Sequence, residues 1–245
     1  MRLLCFFIWA LVLLLPTSGW AAFSVVDHVA DKSGIGGSFT SAAMNSTGAT
    51  GLVCGLTSYD LATEPTLSDS KGNTFTPLTV INITNLLRVR LLYVAAPSVG
   101  SGHTFTVTIS GGNSYSSVAC LALSGMHATP FDQENGTPIT PAATSAQPGS
   151  VTPSVDNEIL ITVMGFDDGE SSATIDSSFT ISDQINANYY WWGIALAYKI
   201  QTTAGAENPT WSWTGSTRAV SAIASFKAAA AGTDQTFGFL KRRAR

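Results

Sequence analysis

The segment YYWWGIALAYKI, residues 189–200, decides how this chain is read. Its aromatic and aliphatic residues, free of proline and followed by the turn residues TTAGAEN, mark a long β-strand. An earlier segment, LLRVRLLYVA at residues 86–95, has the same character, and Tyr93 stands in it where Tyr198 stands in the later one. Outward from this pair the two halves of the chain repeat one another. Leu52-Val53-Cys54-Gly55-Leu56 aligns with Ile159-Leu160-Ile161-Thr162-Val163. Residues 66–70 align with 174–177, and Phe75-Thr76 with Phe179-Thr180. Phe105 and Val107 align with Trp211 and Trp213, and residues 118–124 with 220–226. Matches held in fixed order over such a distance indicate a duplicated unit.

Strands are expected near residues 23–29, 38–44, 51–58, 73–81, 86–95, 103–110 and 115–124, then near 158–165, 178–184, 189–200, 209–214 and 218–227. Gly, Asn, Asp and Pro divide them. Charged residues are only 11% of the chain, which leaves little of the Glu–Lys pairing that exposed helices use. The fold class is therefore all-β. A jelly-roll-like antiparallel β-sandwich over residues 22–230, built from two internally repeated units (51–124 and 158–227) sharing one core, is expected. Two small sandwiches in tandem are the alternative. Residues 126–157, with five prolines among Thr, Ser, Ala and Gly, read as a connection that holds at most one edge strand.

Side chains alternate along a strand, so Leu87, Val89, Leu91 and Tyr93 share one face and Arg88 and Arg90 the other. Arginines are seldom buried unpaired, which makes theirs the solvent face. Transferred through the repeat, Trp192, Ile194, Leu196 and Tyr198 point inward. Trp191, Gly193, Ala195, Ala197 and Lys199 then point outward, and Trp211 and Trp213 belong to the core.

Residues 1–21 read as a signal peptide: Arg2, an apolar run from Leu3 to Leu15, and the small residues Gly19 and Ala21 before a cut. The run is shorter than the roughly 20 residues of a spanning helix, so no membrane span is expected. The setting is secreted, extracellular or cell-surface, with the periplasm also open. Of the three cysteines, Cys54 and Cys120 remain after that cut, either as a disulfide or as two small buried hydrophobes. The net charge is −4 although the last five residues, KRRAR, are basic, so the body is acidic. That argues against nucleic acid as a partner. Residues 231–245 read as a flexible basic tail.

Catalytic signatures are sparse. His28, His103 and His127 are scattered without metal-ligand spacing, and His103 reads as an exposed turn residue. No nucleophile elbow or phosphate loop occurs. The carboxylates Asp167, Asp168 and Glu170, and Asp132 with Glu134, are the residues a hydrolase would use, although acidic residues beside glycine are ordinary turn chemistry. The loop containing Asp168 and Glu170 lacks EF-hand spacing. No catalytic residue, metal ligand or cofactor is assigned. The candidate binding residues are Trp191 and Tyr189, two aromatics alternating onto one outward face where a sugar ring could stack.

The segments SDSKGNTFTPLT, RVRLLYVAAPSVGSGHTFTVTIS, PFDQENG and LAYKIQTTAGAENPTWSW resemble stretches of uncharacterised β-sandwich proteins common among bacterial and phage-derived sequences. The resemblance spans about residues 38–228 and implies a sandwich in a surface or virion setting, with no named activity. The reading reached is a secreted, non-catalytic module that binds a surface glycan or other cell-surface polymer, or serves adhesion or structure. A carbohydrate-active hydrolase on the same scaffold and a phage or envelope structural subunit are the alternatives. The oligomeric state is left open. Exported material should begin at Ala22, or one residue later, and mass spectrometry of its N-terminal peptide measures this directly.

Overall fold

The computed structural model describes residues 22–33, 37–59, 64–109, 115–167, 172–185 and 193–230. Among them every regular element is a strand. The first unit runs β1 (Ser24–Lys32), β2 (Phe39–Thr40), β3 (Gly51–Tyr59), β4 (Thr66–Asp69), β5 (Thr76–Pro77), β6 (Ile81–Ile83), β7 (Leu87–Ala95), β8 (Phe105–Thr108) and β9 (Tyr115–Ser124). The second runs β10 (Met126–Ala146), β11 (Glu158–Phe166), β12 (Thr174–Ile175), β13 (Thr180–Ile185), β14 (Gly193–Gln201) and β15 (Trp211–Ala228). One large antiparallel sheet has the order β1-β9-β3-β7-β5, with β6 also on β7. The other has the order β10-β15-β11-β14-β13, with β12 on β15, and β2-β8-β4 form a small third sheet.

These orders are the same order twice. β3, β7 and β9 correspond to β11, β14 and the second half of β15, and β1 corresponds to β10. β8 with its partner β4 corresponds to the first half of β15 with β12. The two expected strands at 209–214 and 218–227 are one continuous strand, so β15 does the work that β8 and β9 share in the first unit. The reading of 126–157 is corrected. Residues 126–146 form the longest strand of the chain, hydrogen-bonded to β15. Its prolines are tolerated because β10 lies at the sheet edge, where one row of N–H groups has no ladder partner.

Three cores result. The inner faces of the two large sheets bury Val53, Leu87, Val89, Leu91, Leu121 and Leu123 against Ile159, Ile161, Val163, Ile194, Leu196 and Phe226. Trp192 lies outside the described residues, but Ile194, Leu196 and Tyr198 take the inward face expected of them. The outer faces do not meet solvent as expected. In the first unit Leu92 and Val94 share a face with Arg88 and Arg90, yet they are buried with Phe105 and Val107 under the small sheet. Arg90 lies at that layer's margin, paired with Glu64 at 2.8 Å. In the second unit Ala195 and Ala197 are buried beneath Trp211 and Trp213. The arginine argument failed because a long side chain can leave a covered face at its rim. Each unit is thus a small sandwich, and the two also share a core, so both expected arrangements coexist.

The sequence alignment slips by one residue in two strands. Tyr93 pairs with Val53 and Tyr198 with Ile161, so Val53 corresponds to Ile161, and Leu52 to Leu160 rather than Ile159. A one-residue slip moves every side chain to the other face, but β3 and β11 are buried on both faces and carry no alternation to reveal it. With the register corrected, equivalent positions face each other across the inner core. A Cβ on Gly55 would lie 2.6 Å from Val163, and one on Gly165 2.8 Å from Thr57. Further contacts are reciprocal, as an approximate two-fold requires. β1 reaches β13 through His28 and Asp183 at 3.0 Å, and β10 reaches the β5–β6 segment where Thr79 Oγ1 donates to Glu134 at 2.7 Å.

Cys54 and Cys120 are bonded, directly opposed between β3 and β9. The corresponding pair in the second unit is Thr162 and Ile223. There Trp211 Nε1 donates to Thr162 Oγ1 at 3.2 Å. One unit is thus tied covalently and the other by a buried indole. The disulfide bridges a sequence separation of 66 residues. By loop entropy, replacing both cysteines with alanine should cost about 4 kcal/mol, read as a fall in the urea midpoint under non-reducing conditions.

Candidate functional site

Trp191 and Tyr189 lie outside the described residues, as do Asp168 and Glu170. The face to which Trp191 was assigned is buried at Gly193, Ala195 and Ala197, which removes the argument that it is the solvent face. Asp167 is buried and paired with Arg218. Among the described residues no group of three metal-binding side chains occurs, and no helix is long and apolar enough to cross a membrane. Three assemblies merit attention: two polar clusters and a groove.

The first cluster corrects the reading of His103, which is fully buried. Its Nε2 lies 3.0 Å from Asp69 Oδ2 and its Nδ1 2.7 Å from Ser46 Oγ. Burial works to raise the Asp69 carboxyl, but hydrogen bonds from the Asn73 side chain and backbone and from His103 outweigh it and hold it below its ordinary value. An ionised Asp69 accepts a hydrogen bond from Nε2–H, leaving Nδ1 to accept from the Ser46 hydroxyl. The connectivity is that of a serine–histidine–aspartate relay. Ser46 Oγ, however, is sealed in the interior and also accepts from Gly100 N–H at 3.0 Å. No substrate carbonyl can reach it. The cluster ties the turns beside β4 and β8 to the segment after β2, and His103 stacks on Phe105 at 4.7 Å.

The second cluster gathers Asp132 from β10, Glu158 from β11 and Lys227 from β15. Asp132 was singled out from the sequence beside Glu134. The structure separates those two and supplies Glu158 and Lys227, which no local motif announces. A bulge between Phe131 and Gln133 leaves Asp132 without a ladder partner, and alternation from the inward-facing Phe131 places it on the outer face of the sheet. Its Oδ1 lies 2.9 Å from Lys227 Nζ, while Ser154 donates from its N–H and from its hydroxyl, each at 2.7 Å. Burial would raise the Asp132 carboxyl, but Ser154 and Lys227 bring it below its ordinary value. Glu158 is fully buried, and burial, reinforced by the charge of Asp132, raises its carboxyl to about 6. The Ser225 hydroxyl and the Asp132 carboxyl are its side-chain neighbours, and Val155 N–H donates to its Oε1 at 3.3 Å. Two carboxyls at hydrogen-bonding range share a contact only if one is protonated, and the raised group is Glu158.

The groove, about 460 Å³, lies on the seam between the units. The half-buried rings of Tyr93 and Phe131 form its wall, their planes 15° apart and centroids 6.4 Å apart. Thr74, Thr76 and Thr129 rim it. Compared with known proteins, the chain matches no family model, no curated sequence and no solved structure, so the resemblance rests on the quoted segments alone.

Because the folded Glu158 carboxyl lies at about 6 against a reference of 4.5, its contribution to stability is complete below pH 4.5 and is lost as pH rises through 6. That loss amounts to about 2 kcal/mol. Glu158→Gln should flatten this part of the stability profile, measured by denaturant unfolding across that range.

Proposed function

We propose that this protein is an exported, non-catalytic β-sandwich module that holds a surface polymer, a glycan, in the groove on the unit seam. The observation that carries this reading is the Tyr93–Phe131 pair bordered by threonine hydroxyls. Sugar rings offer C–H faces to aromatic rings and hydroxyls to hydrogen-bonding neighbours, and such sites combine apolar walls with a few polar groups. Both rings are steadied from behind: Tyr93 meets Phe226 edge-on at 5.5 Å, and both side chains pack on the inner core. Little conformational entropy is then lost when a ligand settles.

An assembly role has one observation in its favour: β10 is 21 residues long and, among the described residues, pairs on one side only. Pro130, Pro138, Pro141 and four register shifts interrupt it, which are the devices that blunt an edge against further strand addition. The groove is the stronger argument.

A glycan array probed with the mature chain identifies the ligand, and two variants locate the site. Phe131→Ala should weaken binding about fivefold, since an aromatic contact is worth roughly 1 kcal/mol. Thr76→Arg places a bulky side chain at an exposed rim position and should block the groove with an unchanged melting curve. Binding that survives both substitutions would remove the groove from consideration.

A further inference from the structure

We infer that Lys227 and Asp132 condense into an intramolecular amide with Glu158 as the proton carrier, because the amine lies 2.9 Å from Asp132 Oδ1 beside the fully buried carboxyl of Glu158. The three groups come from adjacent strands in the order β10-β15-β11, and Glu158 stands directly opposite Lys227 in the register. Asp132 is clamped through both oxygens by Ser154 and is only 6% exposed, whereas Lys227 is 32% exposed. Amine and carboxyl are therefore held together while the departing water has a route out. Such fixed proximity replaces the high concentrations that amide formation otherwise requires.

The step balances with these groups alone. The ion pair holds Asp132 below and Lys227 above their ordinary values, so the amide forms from the minor neutral pair reached when Lys227 Nζ yields a proton to the Asp132 carboxylate. Nζ then attacks Cγ, and the Nζ–Cγ bond forms. Glu158, as the acid, protonates the departing oxygen and takes a proton from Nζ. The Cγ–O bond breaks and one water leaves. Glu158 ends as it began, and nothing is oxidised or reduced. The raised Glu158 carboxyl suits this role, since an acid with a value near the working pH both gives and accepts a proton.

The fold itself does not call for these charges. In the first unit the positions matching Glu158 and Lys227 are Thr50 and Ser124. There Ser124 exchanges a hydroxyl hydrogen bond with Ser24 on β1, the counterpart of β10, at 2.7 Å. Hydroxyls hold the same junction where no amide can form. In the second unit the bond would fasten the bulged edge strand β10 to its neighbour β15, so that β15 could not be peeled from β10 by tension on the residues after it.

This proposal is independent of the glycan reading and is tested without a ligand. The full exported chain is reduced, denatured, digested and examined by mass spectrometry. A branched peptide joining the segments that contain Asp132 and Lys227, lighter by one water and resistant to tryptic cleavage after Lys227, is expected. The parent protein decides the matter, so no variant need fold. Linear peptides with unmodified Lys227 and Asp132 after prolonged incubation overturn the proposal. Lys227→Arg keeps the ion pair and should give linear peptides only. Glu158→Gln should lose the branched peptide, and its persistence would overturn the role given to Glu158.

Discussion

The architecture depends on how closely two large sheets approach across the inner core. At equivalent positions a glycine of one unit meets a branched side chain of the other: Gly55 faces Val163, and Gly165 faces Thr57. Two branched residues at either place would force the sheets apart, and two glycines would leave a void. Each unit has kept its glycine at a different one of the two positions. The duplicated halves therefore fit by having diverged in complementary ways. A β-carbon at Gly136 would lie 2.2 Å from the Ile81 side chain, so β10 approaches the first unit with that side chain packed directly on its backbone.

That close approach creates the seam, and the seam creates the groove. Tyr93 belongs to β7 and Phe131 to β10, and neither unit alone would place the two rings side by side. Both project from the inner-core face at the margin where the sheets diverge. The energy that positions these rings is the burial energy of the core behind them, and their outer surfaces remain accessible at little cost.

The polar interior has followed the opposite course, diverging between the units with no complementary partner. Where the first unit has the Cys54–Cys120 bond, the second has Thr162 and Ile223 under Trp211. Where the second has Asp132, Glu158 and Lys227, the first has hydroxyls. Buried charge clusters do little for stability compared with apolar packing. Their presence in one copy alone points to a task other than holding the shared fold. The Ser46–His103–Asp69 chain stands on the other side of this distinction. It is satisfied and sealed, and ties three loop segments together.

The sequence by itself determined the all-β class, the duplication and the inward faces of the strands around Leu91 and Leu196, because these depend on local propensity and on a period-two pattern that any half-buried strand must show. It also placed Trp211 and Trp213 in a core, although pairing matches Val107 with Trp211, two residues away from the correspondence read along the chain. Three features only the tertiary structure decided. The outer faces of β7 and β14 are covered, since covering requires elements distant in the chain, and Arg88 and Arg90 read the same whether or not a small sheet lies beside them. The register of β3 against β11 emerged from pairing, because strands buried on both faces carry no alternation. The cluster of Asp132, Glu158 and Lys227 was invisible as a cluster: its members are far apart in sequence, and no local motif signals the bulge at Asp132. Local chemistry is written along the chain, whereas proximity between strands is decided only when the sheets close.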